Sequence, residues 1–313
     1  MNLVKHSVKY IVKHSVKHSV KLKSVFAYLF MCLMACDAAA SIVVRDDSGQ
    51  IVTLPKHARR VISFSPANTE LLFAAGGGDR IVGVLKFSDF PEAAQRIPVV
   101  GDSRELDMER IITLKPDLLV LWRQGTSAKQ IERLKKLGVP IFFSDVDKLV
   151  EIPKTIQVLG QLMGTEKTAN NVAASLREQL TALSQHYADL SPVRLFYQIW
   201  DHPLFTLNGQ QIASDAIRLC GGVNIFASQT ITAPIVSIEA VLKKNPEVII
   251  GTMEQKSPGE SLAMWKRYPT MIAVKRGNLF ELDGTVLNRP SPRMIVGITD
   301  LCEKLDMARK NRG

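Results

Sequence analysis

Short apolar runs alternate with amphipathic stretches along most of this chain. Ile42-Val43-Val44-Arg45 and Gln50-Ile51-Val52-Thr53-Leu54 flank Asp46-Asp47-Ser48-Gly49, whose turn chemistry predicts a hairpin. Arg60-Val61-Ile62-Ser63-Phe64 predicts a strand. Ser65-Pro66 then opens a helix through Glu70-Leu71-Leu72-Phe73-Ala74-Ala75, and Gly76-Gly77-Gly78 ends it. Ile81-Val82-Gly83-Val84 is a further strand. A helix starting near Asp107 leads to Lys115-Pro116 and the strand Leu118-Leu119-Val120-Leu121. Another, from Ala128 to Leu137, stops at Gly138 before Ile141-Phe142-Phe143. Strands alternating with helices imply a parallel sheet in an α/β lobe.

The pattern changes between about 150 and 190. Leu149, Ile152, Ile156, Leu159 and Leu162 keep helical spacing, as do Val172, Leu176, Leu180 and Leu183. This predicts one long helix, with a break at Gly164-Thr165 as its only interruption. The second half then repeats the first. Arg194-Leu195-Phe196-Tyr197-Gln198 reads as a strand, and a helix ends at Cys220-Gly221-Gly222. Residues 107–120 (DMERIITLKPDLLV) align without gaps on residues 237–250 (SIEAVLKKNPEVII). Each copy has an N-cap residue, an acid at the second helical position, an apolar stripe, a proline stop and a buried strand. A repeat of this size predicts two similar lobes with a cleft between them, a preferred place for a ligand. The expected organisation is a leader at 1–40, an N-terminal α/β lobe at 41–148, a bridging helix at 149–191 and a C-terminal α/β lobe at 192–313.

Charge sharpens the picture only through its location. The formal net charge of the 313 residues is +10, but six lysines and one acid, Asp37, fall in residues 1–40. The remainder holds 34 basic and 29 acidic residues, scattered, which gives no nucleic-acid footprint. Lys21 and Lys23 precede an apolar run from Val25 to Cys36, the length of a signal-peptide core. Ala38, Ala39 and Ala40 suit cleavage after Ala40. Leu33-Met34-Ala35-Cys36 is the alternative, a lipoprotein signal with Cys36 as the lipid anchor. The thrice-repeated Val-Lys-His-Ser-Val-Lys ahead of it reads as a low-complexity extension of the leader. Export leaves Cys220 and Cys302 in an oxidising compartment, either as a disulfide or as two buried thiols.

The chemistry of catalysis is missing from the motifs. There is no zinc signature or CxxC pair, and His57, His186 and His202 are widely spaced, so no metal is expected. Gly76-Gly77-Gly78 lacks the Walker Lys-Ser/Thr and the G-x-G-x-x-G order. No nucleophile elbow is present. The chain therefore reads as a binding protein with no cofactor of its own. The rival reading, a secreted enzyme on a two-lobed scaffold, requires an acid/base or nucleophile cluster assembled in the cleft.

Several segments taken in order resemble the periplasmic vitamin B12-binding family of the cobalamin ABC importers. They are Ser65-Pro66-Ala67-Asn68-Thr69-Glu70-Leu71, Lys115-Pro116-Asp117-Leu118, Trp122-Arg123, Cys220-Gly221-Gly222-Val223-Asn224-Ile225-Phe226 and Arg289-Pro290-Ser291-Pro292-Arg293. The likeness covers roughly residues 58–306. It implies an α/β fold of two Rossmann-like lobes with central parallel sheets joined by one long bridging helix. It also implies a periplasmic protein, monomeric when free, that carries cobalamin as a transported ligand to an inner-membrane permease with its ATPase. Haem, a ferric siderophore or another corrinoid is the alternative ligand, since receptors of the same fold share Lys-Pro-Asp-Leu.

A corrin ring needs broad apolar faces and scattered hydrogen-bond partners. By the resemblance, Ala67, Phe87, Trp122, Ile199, Trp200 and Arg289 line the cleft. Core packing is the competing role for Phe87, and a solvated surface charge that for Arg289. Ser103, Ala233, Ile199 and Thr285 depart from the family, where aromatic residues and an aspartate stand. Glu109 and Glu239 match the family's two docking glutamates, one per lobe, which meet arginines on the permease; an acid in a first helical turn also stabilises the helix dipole. Cys220 and Cys302 fall where the family has its disulfide.

Overall fold

Apolar runs of three to six residues, each closed off by glycine, proline or a helix cap, are too short for helices and pair instead as strands. In this computed structural model, which describes residues 41–253 and 261–312, those runs form two four-stranded sheets. The leader, Cys36 and the N-terminal repeat lie outside the described residues.

The first half begins with β1 (Ile42–Arg45) and β2 (Ile51–Leu54), antiparallel around the turn at 46–49. There follow β3 (Val61–Ser63), α1 (Pro66–Ala74), β4 (Ile81–Val84), α2 (Met108–Thr113), β5 (Leu118–Leu121), α3 (Ala128–Lys135) and β6 (Ile141–Phe143). Strands β3 to β6 make an all-parallel sheet in the order β4-β3-β5-β6. Then come α4 (Glu151–Met163) and α5 (Glu166–Tyr187).

The second half contains β7 (Val193–Gln198), β8 (Trp200–Asp201), β9 (Leu204–Phe205), α6 (Ile212–Leu219), β10 (Gly222–Asn224), α7 (Ile238–Lys244) and β11 (Val248–Met253). It closes with α8 (Ile272–Lys275), β12 (Leu279–Asp283), α9 (Gly284–Leu287) and α10 (Met294–Lys310). Its sheet, also parallel, runs β10-β7-β11-β12, the same order as the first. Cys220 and Cys302 form a disulfide that fastens the end of α6 to α10.

The repeat seen in the sequence extends to side-chain detail. Lys115 and Asn245, at matching positions, both leave their helices with positive φ, 46° and 41°. Arg60 Nε donates to the Leu114 carbonyl at 2.8 Å, and the Arg194 guanidinium donates to the Lys244 carbonyl at 2.6 Å. The carbonyls of the same two arginines accept from the backbone N–H groups of Asp117 and Glu247, at 2.9 and 2.8 Å. Each lobe thus ties the end of its crossover helix to its first strand in the same way.

The helical stretch expected over 149–191 divides in two. Gly164 caps α4 in the left-handed conformation, φ 62°, which glycine adopts without the steric cost of a Cβ. The chain turns back there, and the two helices pack so closely that a Cβ on Gly160 would lie 2.4 Å from that of Ala169. The bridging role falls to α5, whose 22 residues reach about 33 Å at helical rise. It touches α1 in the N-terminal lobe and both α6 and α10 in the C-terminal lobe.

One apolar core runs beneath these helices from lobe to lobe, with Ile152, Ile156, Leu159 and Leu162 of α4 and Ala169, Leu176 and Leu180 of α5 against Val61, Val120, Leu195 and Ile250 of the sheets. Each fully buried Leu or Ile here contributes about 1.5–3 kcal/mol. The outer faces of the two sheets have separate cores, around Leu119 and Leu121 in one and Phe196 and Trp265 in the other.

Where the hairpin turn meets α4, carboxylates crowd together. The Asp145 backbone N–H donates to Asp47 Oδ2 at 3.1 Å, Thr155 Oγ1 lies 3.3 Å from the same oxygen, and Glu151 is near. Burial pushes the Asp47 carboxyl up to about 6 despite those two hydrogen bonds, with repulsion from Glu151 and Asp145 adding to it. Between pH 4 and pH 6 the folded protein therefore keeps a proton that the unfolded chain, titrating near 3.8, has lost. By linkage this group makes stability fall as pH rises through that window, by up to about 3 kcal/mol for a shift of this size. Asp47→Asn cannot ionise and still accepts a hydrogen bond. Urea unfolding at pH 4, 5, 6 and 7 should show a flatter pH dependence for the variant than for the parent, and superimposable slopes would refute the assignment.

Candidate functional site

In a parallel sheet the loops after the strands collect along one edge, and ligands settle where the strand order changes direction. In the N-terminal lobe that point lies between β3 and β5, and in the C-terminal lobe between β7 and β11. The sequence sends its unusual residues to these loops.

After β3, Ser65 caps α1 by accepting the Asn68 backbone N–H at 3.0 Å, Pro66 takes the first turn, and Ala67 stands half-buried beside it. Beneath this loop Thr69 Oγ1 lies 2.8 Å from Ser63 Oγ and 3.1 Å from Ser88 Oγ, a buried hydroxyl network that fixes the loop carrying Phe87. Phe87 is 61% exposed and adopts φ 69°, an uncommon and costly conformation for an aromatic residue. Its side chain is outside the core, so of the two roles considered for it core packing is excluded. Lys86 Nζ sits 5.4 Å from the ring centroid.

Trp122 directly follows β5 and is 45% exposed. Its indole lies flush on Gly125, where a Cβ would come within 2.0 Å of the ring. The turn beneath it is held by Thr126 Oγ1 donating to the Trp122 carbonyl at 2.7 Å. The Arg123 backbone N–H donates to Asp145 Oδ1 at 2.8 Å, with its Nε 3.0 Å from Oδ2. From the C-terminal lobe, Ile199 follows β7 and packs partly against the inner core. Trp200 is 51% exposed, its indole N–H donating to the His202 carbonyl at 3.0 Å.

Arg289 is not the solvated charge that its loop position allowed. Only 18% of its side chain is exposed, and its guanidinium pairs with Asp89 at 2.7 Å and with Glu70 at 3.5 Å, both in the opposite lobe. Glu70 also accepts from Ser291 Oγ at 2.6 Å and from Arg293 at 2.6 and 2.9 Å. That bidentate pair holds the Arg293 guanidinium above its ordinary pKa. Glu70 and Arg293 belong to the Ser-Pro-Ala-Asn-Thr-Glu and Arg-Pro-Ser-Pro-Arg segments, yet neither has a role expected from its motif. The available clue was a carboxylate set among the apolar residues of α1, a position that must be buried.

The sequence reading also missed the apolar surface at 231–235. Ala233 and Ser103 are both exposed and bring no aromatic area. Ile231 and Ile235 flank Ala233 and are 66% and 63% exposed. Thr206 and Asn208, just beyond β9, donate their backbone N–H groups to the Pro234 and Thr232 carbonyls, holding this segment beside Trp200's hairpin. Thr285 turns its hydroxyl onto Asp283 at 2.6 Å.

Glu109 and Glu239 are exposed at matching positions in the first turns of α2 and α7, which Asp107 and Ser237 cap. In a parallel β-α-β unit the helix runs against the strands, so these N-termini lie toward the same sheet edge as the aromatic loops. The Glu239 carboxyl is lowered by its own backbone N–H and by Ser237. Among the described residues no three His, Cys, Asp or Glu side chains are grouped to hold a metal, and no helix is long and apolar enough to cross a membrane. A groove of about 600 Å³ opens elsewhere, between the start of α4, α5 and α6, lined by Leu149, Val150, Leu180 and Arg218.

Residues 61–286 match the family described as periplasmic binding protein. The vitamin B12-binding protein of Vibrio parahaemolyticus is 36% identical over 253 residues, which are 81% of this chain and 91% of that one. The protein of the same name from Yersinia pestis is 36% identical over 256 residues, 82% and 89% of the two chains. Among solved structures, the periplasmic vitamin B12 binding protein BtuF of Vibrio cholerae superposes with a TM-score of 0.75 at 35% identity, covering 81% of this chain and 98% of its own. The periplasmic heme-binding protein BhuT, solved with two hemes, shares the fold at a TM-score of 0.69 and 23% identity, over 81% and 99%. Two parallel α/β sheets in identical order, a helix between them and these matches lead to one conclusion: the chain belongs to the periplasmic binding protein family.

Proposed function

We propose that this protein is the extracytoplasmic solute-binding component of an ABC importer, that it takes cobalamin into the cleft between its lobes, and that it delivers the ligand to an inner-membrane permease with its ATPase. The observation that carries this reading is the exposure of Phe87 and Trp122 on the loops that follow β4 and β5, at the C-terminal edge of the N-terminal sheet on either side of β3. Surface aromatics held by costly backbone or by a close glycine contact suit a flat apolar guest. Trp200, Ile231 and Ile235 offer apolar surface from the other lobe, while Ala67, Ile199 and Arg289 complete the proposed lining. The vitamin B12-binding proteins named above supply the ligand class. The protein would act in the periplasm, released by cleavage after Ala40 or held there through Cys36.

Its role is binding and release, with no bond made or broken. Glu109 and Glu239 would present one negative charge per lobe to arginines on the permease, which favours fast, oriented encounter. Lobes built over a common apolar core admit only small relative movement, so docking rather than wide opening would expose the ligand.

Calorimetric titration of micromolar protein with cyanocobalamin should give one site per chain, with a matching change in the visible absorbance of the corrin. Absence of heat, or saturation by haemin in its place, would refute the cobalamin assignment. Trp122→Ala should weaken binding by about 1 kcal/mol or more, the worth of one aromatic stacking contact; an unchanged dissociation constant would remove Trp122 from the site. Glu109→Ala combined with Glu239→Ala should leave that constant intact and abolish stimulation of the permease-bound ATPase in proteoliposomes. Full stimulation by the double variant would reject the docking role.

A further inference from the structure

The lobes are joined at a second place besides the helices, and the joint is ionic. Glu70 lies on α1 and is 3% exposed. Its partners, Arg289, Ser291 and Arg293, all come from one short segment of the C-terminal lobe, more than 200 residues away in the chain. That segment is itself anchored at both ends. Asn288 accepts the Tyr197 hydroxyl at 2.7 Å, and Arg293 abuts α10, the helix that carries the disulfide. From its N-terminal side the same arginine pair grips the loop that follows Phe87. Arg289 bonds Asp89 at 2.7 Å, and Arg293 lies over the Phe90 ring at 4.1 Å. Next to Glu70 in the chain, Thr69 reaches Ser88. Residues 88, 89 and 90 are therefore each fastened, and the fastening of two of them passes through arginines that Glu70 orients.

We propose that Glu70 is a positioning residue for ligand capture: with Arg289, Ser291 and Arg293 it forms an interlobe clasp that sets the aperture of the cleft and the placement of the Phe87 loop before any ligand arrives. The proposal deepens the binding reading and rests on it for the affinity measurement alone. The physical case is that a buried ion pair contributes little net stability, because desolvating its charges offsets their attraction, whereas its geometry is demanding. Two carboxylates, Glu70 and Asp89, face two guanidiniums across the lobes, with every contact directional. Asp283 is the further acid near Arg293. An apolar joint would hold the lobes together without specifying where each loop sits.

The test is hydrogen-exchange mass spectrometry of the ligand-free full chain, with cyanocobalamin affinity measured on the same samples. Glu70→Gln keeps the shape and removes the charge. It should speed exchange of amides in 85–91 and 287–293 at least ten-fold, leave those of β3, β5, β7 and β11 unchanged, and weaken cyanocobalamin at least ten-fold. Glu70→Leu combined with Arg293→Met replaces the pair by apolar side chains; it should fold, yet show the same local loss of protection, and it carries the measurement if Glu70→Gln does not fold. Unaltered exchange in 85–91, or a loss spread evenly over both sheets, would overturn the clasp. If the parent protein fails to bind cyanocobalamin, the functional reading falls, and the exchange data judge the clasp by themselves.

Discussion

The structure depends on a single apolar layer that both lobes share. A parallel sheet must be covered on both faces. Here α1 covers strands of the first sheet and α6 and α10 cover strands of the second, and all three join α4 and α5 in one continuous apolar core. Separating the lobes would expose Ile156, Leu159, Leu176 and Leu180 together with the sheet residues beneath them. The hydrophobic effect thus fixes the distance between the sheets, and their loop-bearing edges inherit that distance. The equivalent placement of Glu109 and Glu239 follows from two sheets of the same strand order held on this core.

Two further constraints act at finer scale. Close packing at Gly160 and Ala169 sets how near α4 approaches α5, since a Cβ on Gly160 would lie 2.4 Å from that of Ala169. Polar groups around Glu70 supply the directionality that an oily contact lacks, so area and orientation are contributed by different residues. The carboxylate group at Asp47 lies at the root of α4, where burial of charge is tolerated because one member stays protonated near pH 5.

Much of this was legible in the chain. Periodicity located the hairpin, β3 to β6 and α1 to α3. The match between 107–120 and 237–250 predicted two similar lobes; the shared strand order and the left-handed residues at 115 and 245 came only with the backbone. What escaped had weak local patterns. Gly222-Val223-Asn224 is a strand only because β7 lies beside it. The regularity of 149–191 concealed a reversal, since spacing continues across Gly164 while the backbone does not. Among the exposed loop residues, Trp122 and Phe87 stood out by type. Glu70 did not, for its meaning resides in arginines more than 200 positions away that no pattern in the first lobe reveals.

Gly125 shows how an absent atom can shape a surface. The indole of Trp122 rests where a side chain at 125 would have to be. The tilt of that aromatic plane is consequently written into a neighbouring backbone, and even alanine at 125 would push the plane aside with Trp122 itself unchanged. Drift at this inconspicuous loop position is a route by which an exposed aromatic surface changes shape while its own residues stay the same.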